Sequence, residues 1–564
     1  MNAFKCVDAH LSGMMGHMDF FATHEELLTK ALRAISERGY WSAYPESPSP
    51  KVYGENAAAE GKAAFEATLG KDFPLDQRFV DHVAPERSPL GIDLNVRYPR
   101  TDADTLIASA QTAWRGWRDA SPQARAGVSL EILARLHKRV FELANAVHAT
   151  TGQAFVMAFQ AGGPHALDRA LEAVAYGYSE QTRQVPSVTW TKKADSLEKT
   201  FHVAPRGISL VIGCNTFPTW NSWPGLFASL ATGNPVIVKP HPHAVLPLAI
   251  TVQVAREVLA EAGFDPNVVQ LAADTREAPI TKDLALRPEV KLIDFTGSTA
   301  FGDWLEQNAR QALVYTEKAG VNTVIIDSTD DFAGMCRNLS FSLILYSGQM
   351  CTTPQNLLIP AAGIETEAGH KSFDEVVQGV AGAVSALTAD PAKAVELTGA
   401  IVNDEIPDRI DAARKMGEVV LDSAPIAHPA YPNAVVRTPM IVKVTDGYAS
   451  ECFGPVSFAV PTESTSDSVE IFRKTVGEKG ALTAAVYSTD ASVLDTVEQA
   501  AVDVGVHLSQ NLTGGVFVNQ SAAFSDFHAS GANPAANASL TDGAFVAGRF
   551  RIVQSRRPAP AGVS

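Results

Sequence analysis

The chain has 564 residues, of which 46% are hydrophobic and 19% are charged, and its formal net charge is −16. At ~150 residues per domain this length predicts three or four structural units, each able to bury a core without disulfide or metal staples. The acidic balance argues against general binding to nucleic acid or anionic membranes, which needs basic patches, but it allows a local basic pocket for a small anion.

The first 85 residues are expected to form an N-terminal extension that wraps the surface of the main body. Its clearest element is a helix over 23–39, with Thr23 and Glu26 as a capping box and Gly39 as its end. Helical spacing of apolar residues then continues over about 102–185. Residues 187–202 have the pattern of an exposed strand hairpin.

From residue 207 the pattern changes to short β-branched strands separated by helices. The predicted strands are 208–212, 235–239, 267–271, 290–295, 323–327, 456–461 and 482–487. Helices near 244–262, 330–346, 466–476 and 490–501 alternate with them. This alternation predicts an α/β fold with two doubly wound parallel-sheet lobes. We expect one lobe over 86–318, with its hairpin near 187–204, a second over 319–520, and a terminal segment over 521–564 with a strand at 545–554.

Two long stretches, 207–238 and 338–364, contain no charged residue. Prolines, glycines and amides interrupt both, so neither is suited to a membrane helix. We interpret both as buried core that leads into a sheltered polar crevice, where small-molecule sites are usually found.

Five cysteines are spread widely along the chain, at Cys6, Cys214, Cys336, Cys351 and Cys452. No CxxC pair exists and no histidine stands at zinc-ligand spacing from a cysteine, so we expect reduced thiols, no disulfide framework and no metal site. The N-terminus also lacks the apolar core of a secretory signal. We therefore expect a cytoplasmic protein.

Three local patterns could carry chemistry. The segment 295–302 follows a predicted strand and opens a helix, which is where a parallel sheet can bind a pyrophosphate, although an ordinary strand-to-helix turn has the same pattern. Cys351 follows an apolar helix among small polar residues and could be a nucleophile or a structural cysteine. Glu317 ends a predicted strand between the lobes and could be a general base with an elevated pKa or a solvated strand-end charge. Glu451, between a loop and a predicted strand, could likewise be a functional carboxylate or a solvated charge.

Together these segments resemble the aldehyde dehydrogenase superfamily. The matching segments stand in the order of that family, at 217–218, 233–240, 295–302, 316–320, 348–351 and 451–455. The resemblance covers about residue 90 to the end and implies the family's two-lobed fold. The segments 38–41, 47–54 and 519–528 resemble a narrower group, the PaaN-type aldehyde dehydrogenases of bacterial phenylacetate degradation.

The resemblance implies a role for each matching residue. Cys351 would attack the aldehyde carbon, and Glu317 would activate the water that hydrolyses the resulting thioester. The residues that would hold the dinucleotide are Lys239, Thr296, Gly297, Ser298, Gly302, Glu451 and Phe453. The substrate would be an aromatic-pathway aldehyde or a CoA-linked semialdehyde, and its acyl group would form the thioester with Cys351.

Three positions depart from the family pattern. The oxyanion asparagine falls at Thr216, so either Thr216 or the preceding Asn215 would donate to the oxyanion; loss of one such donor costs ~10²–10³ in rate. Ala319 replaces the first glycine after the base. Pro242 stands where many NAD-preferring members have an acid, so NADP is slightly favoured over NAD.

Alternatives remain open on these residues. They are a CoA-acylating dehydrogenase, a catalytically weak nucleotide-binding relative, and a papain-like hydrolase, which would need a histidine beside the cysteine. The strands at 187–202 and 545–554 lie outside both lobes. In the family such strands pair between subunits, which implies a homodimer or a dimer of dimers that acts on a small-molecule aldehyde without nucleic-acid or membrane partners.

Overall fold

The computed structural model describes residues 19–192, 195–318 and 320–559, so Cys6 and Ala319 lie outside the described residues. Its N-terminal part contains three helices and one antiparallel strand pair. These elements are α1 (Phe20–Glu37), α2 (Pro50–Tyr53), α3 (Ala57–Glu66), β1 (Asp81–Val83) and β2 (Tyr98–Arg100).

Helix α1 begins earlier than the sequence predicted. The Asp19 carboxylate accepts a hydrogen bond from the Phe21 N–H, so Asp19 is the N-cap and Thr23 lies within the helix. The helix ends at Arg38, which has a left-handed φ of 54°, and not at Gly39. The predicted capping box of Thr23 and Glu26 is wrong because an acidic side chain further upstream already caps the helix.

A layer of helices follows, as the apolar spacing over 102–185 predicted. It consists of α4 (Ala103–Asp119), α5 (Pro122–Lys138), α6 (Val140–Thr151), α7 (Phe155–Gln160) and α8 (Ala166–Thr182), with a π-helical segment at Ala161–His165. Helix α1 packs on α5 and α8 and buries Phe20 and Leu28. Burial of each large apolar side chain here contributes ~1.5–3 kcal/mol. The contact needs Gly127 of α5, where a Cβ would lie 2.5 Å from the Phe21 backbone nitrogen.

The first lobe is built on a five-stranded parallel sheet that follows an exposed hairpin. The elements are β3 (Ser187–Lys192), β4 (Asp195–Pro205), β5 (Ile208–Ile212), α9 (Pro218–Ala231), β6 (Val236–Lys239), α10 (Leu246–Glu261), β7 (Val269–Leu271), α11 (Thr281–Leu286), β8 (Val290–Thr296), α12 (Thr299–Asn308) and β9 (Leu313–Glu317). The strand order is β7-β6-β5-β8-β9. The order reverses at β5, and in such sheets ligands bind beyond the carboxyl ends of the strands at this point.

The second lobe contains a seven-stranded sheet. Its elements are β10 (Thr323–Ile326), β11 (Ser328–Thr329), α13 (Phe332–Ile344), β12 (Asn356–Pro360), β13 (Ile364–Thr366), β14 (Gly369–Lys371), α14 (Phe373–Thr388), α15 (Pro391–Ala394), α16 (Ile406–Ala413), β15 (Glu418–Leu421), β16 (Pro425–Ile426), β17 (Val436–Arg437), β18 (Met440–Lys443), β19 (Val456–Thr462), α17 (Thr465–Lys479), β20 (Thr483–Tyr487), α18 (Ala491–Val504) and β21 (His507–Gln510). The order is β15-β18-β19-β12-β10-β20-β21, and only the β15–β18 pair in this sheet is antiparallel. The predicted α/β fold with two parallel sheets is confirmed, although β12, β18 and β21 were not predicted.

The chain ends with α19 (Gly543–Ala547) and β22 (Phe550–Pro558), so the predicted strand over 545–554 is wrong in its first part. Asp542 caps α19 by accepting a hydrogen bond from the Phe545 N–H, and Phe545 and Val546 are buried on this short helix. Strand β22 pairs with β4, which in turn pairs with β3. The result is a three-stranded antiparallel sheet outside both lobes.

Arg549 fixes this terminal segment to the first lobe. Its guanidinium is fully buried and donates to both carboxylate oxygens of Asp294 on β8, at 2.8 and 2.6 Å. It also donates to the Ser229 hydroxyl of α9 at 2.6 Å. These hydrogen bonds therefore anchor the start of strand β22 to β8 and α9 of the first lobe.

The two uncharged stretches cross the buried core, as expected. Residues 207–238 include β5, α9 and the start of β6, and residues 338–364 include the end of α13, Cys351 and β12. Among the described helices, none combines the length and apolar content needed to cross a bilayer.

Candidate active site

Cys351 follows a strained turn at the end of α13. Tyr346 and Ser347 have left-handed φ values of 53° and 51°, and Gly348 follows with 68°. The Ser347 hydroxyl donates to the Gly399 carbonyl at 3.0 Å, and the Gln349 amide donates to the Ala400 carbonyl at 3.0 Å. Backbone strain of this kind persists only where surrounding contacts hold it, and it is concentrated at functional sites. This turn carries the Cys351 side chain toward the first lobe.

Glu317 is the last residue of β9, at the carboxyl edge of the first sheet. Its side chain is buried, and its Oε2 accepts a hydrogen bond from the Asn221 amide at 3.4 Å. The sequence placed Glu317 at a strand end between the lobes, and the structure places it beside Cys351. The two residues predicted to carry the chemistry are therefore in one site.

His528 is the third member of this site and was given no role by the sequence analysis. Its Nε2 lies 3.7 Å from the Cys351 Sγ and 3.3 Å from the Glu317 Oε2. The imidazole packs edge-on against the Trp220 ring, with centroids 4.5 Å apart. The sequence feature that could have pointed to His528 was its position at the end of the 519–528 segment, which resembles the PaaN-type group. Since 177 residues separate it from Cys351, sequence spacing could not reveal the contact.

The electrostatics of the site favour an ionised base beside a neutral thiol. Burial alone would raise the pKa of Glu317, but His528 and the donors Cys351 and Asn221 together hold this pKa below its usual value. The predicted elevated pKa of Glu317 is therefore wrong. Burial and the neighbouring Glu317 charge raise the pKa of the Cys351 thiol well above its usual range. Both shifts hold the proton on the thiol in the resting site, and the hydrogen bond from Cys351 to Glu317 makes Glu317 the group placed to accept this proton when the thiol reacts.

The two oxyanion candidates are not at the cavity that Cys351 opens into. The Thr216 hydroxyl lies 3.6 Å from the Cys214 Sγ, and its carbonyl accepts a hydrogen bond from the Gln153 amide at 2.7 Å. Neither Thr216 nor Asn215 is among the described residues that line the cavity. Asn221, one turn into α9, does line it and donates to Glu317, so one amide of the site comes from a position that was not predicted from the sequence.

The cavity in front of Cys351 has a volume of about 660 Å³. Large apolar and aromatic side chains form much of its lining, among them Met157, Phe217, Trp220, Phe341 and Val516. A cleft of this size and composition accommodates a drug-sized molecule with an apolar body.

The N-terminal part of the chain supplies one wall of this cavity, through Tyr40, Trp41, Ser42 and Glu46. The Asp168 carboxylate of α8 holds this wall, since it accepts hydrogen bonds from the Ser42 hydroxyl at 2.6 Å and the Ala43 N–H at 2.9 Å. Burial raises the pKa of Asp168 to about 6. The Trp41 ring also packs edge-on against Phe524, with centroids 4.7 Å apart, so the wall contacts the segment that carries His528.

The predicted phosphate-binding turn lies directly beside Glu317. Thr296 at the end of β8 pairs with Glu317 across the sheet, and the Gly297 N–H donates to the Glu317 carbonyl at 3.1 Å. Ser298 caps α12 by accepting from the Phe301 N–H at 3.4 Å. Added Cβ atoms at Gly297 and Gly302 would lie 2.7 Å from the Phe295 ring and 2.6 Å from the Lys318 side chain. The turn is thus compact, and a helix N-terminus of this kind is suited to bind a small anion such as a pyrophosphate.

Lys239 ends β6, where its side chain is buried. Its Nζ donates to the Pro240 carbonyl at 2.6 Å and lies 2.6 Å from the Asp274 Oδ1. Burial lowers the pKa of Lys239, while Asp274 opposes that change. The lysine is held at the carboxyl edge of the sheet, next to the position where Pro242 replaces an acid.

Glu451 and Phe453 come from the loop before β19 in the second lobe. The Glu451 carboxylate accepts a hydrogen bond from the Gly320 N–H, three residues after Glu317. The Phe453 carbonyl accepts from the Arg409 guanidinium at 3.2 Å. Lys239, the capped turn and Glu451 thus supply an ammonium and backbone N–H groups as donors and a carboxylate as an acceptor, a set of groups that fits a dinucleotide.

Comparisons with known proteins agree on one family. The model of the "Aldehyde dehydrogenase family" matches residues 95–539. A crystal structure of an NAD-dependent aldehyde dehydrogenase from Burkholderia multivorans has 58% sequence identity and a TM-score of 0.94, and the match covers 96% of this chain and 100% of that chain. A 1-pyrroline-5-carboxylate dehydrogenase from Bacillus pumilus is 25% identical over 507 residues, which are 81% of this chain and 90% of that protein. The Thermus 1-pyrroline-5-carboxylate dehydrogenase with bound NAD shares the fold, with a TM-score of 0.72 at 20% identity over 92% of this chain and 99% of that one.

Proposed function

Because the chain belongs to the aldehyde dehydrogenase family and is an enzyme of that family, we propose that it oxidises a bulky aldehyde to a carboxylic acid through Cys351 and Glu317. The observation that carries this proposal is the meeting of Cys351, Glu317 and His528: Cys351 and His528 line the large cavity, and Glu317 pairs with the phosphate-binding turn.

The reaction begins with transfer of the Cys351 thiol proton to the Glu317 carboxylate. The thiolate then attacks the aldehyde carbon and gives a thiohemiacetal oxyanion, for which the Asn221 amide, which lines the cavity, is a candidate side-chain donor. NAD or NADP, when bound, supplies the acceptor for the hydride that leaves this carbon. After loss of the proton from Glu317, its carboxylate takes a proton from water, which cleaves the Cys351 thioester to the acid and the free thiol.

His528 acts as a positioning residue in this scheme. Its Nε2–H donates toward the Glu317 Oε2 and holds that carboxylate ionised and oriented. The same contact keeps the base beside Cys351 between the two chemical steps. A papain-like hydrolase would also need a histidine near its cysteine, but here Glu317 takes the thiol proton and His528 supports Glu317.

For the cofactor, we propose that both NAD and NADP bind at Lys239 and the 295–302 turn. Lys239 would hold the adenosine ribose, the turn the pyrophosphate and Glu451 the nicotinamide ribose. Pro242 offers no carboxylate to repel a 2′-phosphate, which favours NADP, whereas the similar Burkholderia protein is named NAD-dependent. Initial rates with each dinucleotide test the proposal, and an enzyme that turned over with only one of them would contradict it.

The cavity favours a large aldehyde without a carboxylate next to the reacting carbon. Of the basic side chains at its outer part, Arg169 donates to Glu172 at 2.9 Å and His165 lies 2.8 Å from Glu46, so both are already paired. This disfavours the carboxylate substrate that the names of the Bacillus relatives suggest. An aromatic aldehyde of phenylacetate degradation fits a cavity of this size and lining, and a CoA-linked semialdehyde of the same pathway fits with the phosphate groups of CoA outside the cavity.

The alternative acceptor for the acyl group is CoA. A CoA-acylating enzyme needs no water-activating carboxylate, whereas here a buried, ionised carboxylate lies beside the cysteine. Product analysis with and without CoA separates the two, and an acyl-CoA product with a strict CoA requirement would favour the alternative.

An initial-rate screen over aldehydes of increasing size tests the function itself. Formation of reduced cofactor should require Cys351 and fall at least ~10³-fold in Cys351→Ala, since a nucleophile cannot be replaced by binding alone. Cys336→Ala is the matched control because Cys336 lies on α13 outside the cavity. Equal losses in both variants would refute the assignment.

A further inference from the structure

Three potential metal ligands converge in the active site from distant parts of the chain. The Cys351 Sγ, the His528 Nε2 and a Glu317 carboxylate oxygen all lie within 4.8 Å of one another. The side chains of His528 and Glu317 are only 3% and 6% exposed. Sequence spacing gave no sign of this set, because Glu317, Cys351 and His528 belong to three separate segments.

Two of the three distances between these ligand atoms are close to those of a zinc site, and the third, from the Cys351 Sγ to a Glu317 carboxylate oxygen, is within 4.8 Å. With Zn–S at ~2.3 Å and Zn–N and Zn–O at ~2.0–2.1 Å, tetrahedral geometry places sulfur and nitrogen ~3.5 Å apart and nitrogen and oxygen ~3.4 Å apart. The observed separations are 3.7 Å from the Cys351 Sγ to the His528 Nε2 and 3.3 Å from this nitrogen to the Glu317 Oε2. A zinc ion needs shifts of only a few tenths of an ångström in these two separations.

We propose that Cys351, His528 and Glu317 form a binding site for Zn²⁺, and that occupancy of this site switches the enzyme off reversibly. A thiolate, an imidazole and a carboxylate are a ligand set that selects zinc over Mg²⁺ or Ca²⁺, which prefer oxygen alone. The cavity side leaves a fourth position for water. Binding converts the Cys351 S–H bond to an S–Zn bond and releases the proton to solvent, and the two ligand charges neutralise the ion.

The inhibitory consequence rests on the proposed function, whereas the binding does not. Zinc would occupy the sulfur lone pair that attacks the aldehyde and the carboxylate that activates water. Both chemical steps would stop together, and a chelator would restore them.

Binding of Co²⁺ to the full-length enzyme, free of cofactor and aldehyde, tests the site directly. A cobalt ion bound to a thiolate shows sulfur-to-metal charge-transfer absorption, and we expect one equivalent to produce it and Zn²⁺ to displace it. His528→Gln and Cys351→Ser should each weaken binding at least ~100-fold, because even loss of an outer partner of a metal ligand costs 10–100-fold. The matched control is His507→Gln, since His507 is a nearby, partly buried histidine outside the ligand set; its affinity should equal that of the wild type.

A second measurement needs no variant. Zn²⁺, but not Mg²⁺, should protect Cys351 from alkylation by iodoacetamide, and EDTA should remove the protection. Unchanged cobalt absorption in His528→Gln, or alkylation of Cys351 at the same rate with and without Zn²⁺, would overturn the proposal. An enzyme that bound one cobalt ion as described but oxidised no aldehyde would refute the proposed function and leave the metal site intact.

Discussion

The His528 Nε2 lies 3.3 Å from the Glu317 Oε2, although Glu317 ends a strand of the first lobe and His528 belongs to the terminal segment. The terminal segment is held in turn by the wall at residues 40–46, through contacts such as Trp41 against Phe524. Contacts from both the N-terminal and the C-terminal parts of the chain therefore help to position Glu317, the proposed base.

Replacement of His528 should shift the pH dependence of the reaction. In His528→Gln the burial of Glu317 remains while the strongest stabilising partner of its charge is lost, so the pKa of Glu317 rises. A base must be ionised, and the acidic limb of the kcat profile should consequently move to higher pH, with the largest loss of rate in acid. Profiles measured for His507→Gln should match the wild type, and an unshifted acidic limb in His528→Gln would show that this contact does not tune the base.

Trp41 should determine which aldehydes are good substrates. Removal of its ring in Trp41→Ala takes apolar surface from the cavity wall, so KM for bulky aldehydes should rise ~10-fold while kcat/KM for short aldehydes changes little. Phe79→Ala is a suitable control, because Phe79 is an exposed aromatic residue outside the cavity lining. Equal effects on short and bulky aldehydes would exclude a role in substrate selection.

The exposed sheet of β22, β4 and β3 should form the subunit interface. Trp190 on β3 and Val553 on β22 are 41% and 53% exposed, and apolar side chains on an open sheet edge favour association. Light scattering should show a dimer or a dimer of dimers for the wild type and smaller species for Trp190→Glu. Val502→Glu changes a more exposed apolar residue, on α18, and should leave the assembly intact; a monomeric wild type would contradict the prediction.

The pair of Asp294 and Arg549 should contribute strongly to stability. Asp294→Ala leaves the guanidinium of Arg549 buried without its carboxylate partner, which costs ~3–5 kcal/mol. Asp283→Ala removes the partner of Arg287 in an exposed pair and should cost at most ~1 kcal/mol. Urea unfolding of the three proteins measures the difference, and similar midpoints for both variants would be inconsistent with an anchoring role for Arg549.

The regular parts of the fold were predictable because their residues carry a strong periodic signal. The strands at 208–212 and 290–295 and the helix at 244–262 were placed within a few residues of β5, β8 and α10. Strand β12 was not predicted, because its residues lie in a long uncharged stretch in which neither the helical nor the strand spacing of apolar residues is distinct. Caps were less predictable: Thr23 and Glu26 have the spacing of a capping box, but Asp19 was already available upstream.

The site was predictable only where the family resemblance applied. Cys351 and Glu317 were chosen from several cysteines and carboxylates through that resemblance, and the structure brings them together. His528 and Asn221 were not chosen, since their relevance depends on contacts between segments far apart in the chain. The direction of the Glu317 pKa shift could not be predicted for the same reason, because it depends on the contact with His528 and not on burial alone.

Mass spectrometry of Glu317→Gln after mixing with a bulky aldehyde and excess NAD or NADP is the most direct test of the proposed chemistry. The account predicts that about one reduced cofactor forms per active site, more slowly than in the wild type because the amide cannot accept the thiol proton, and that turnover then nearly stops because the thioester is not hydrolysed. The peptide that contains Cys351 should gain the mass of the acyl group, which hydroxylamine removes. Sustained turnover by this variant at the wild-type rate, with no acyl group on Cys351, would contradict the account.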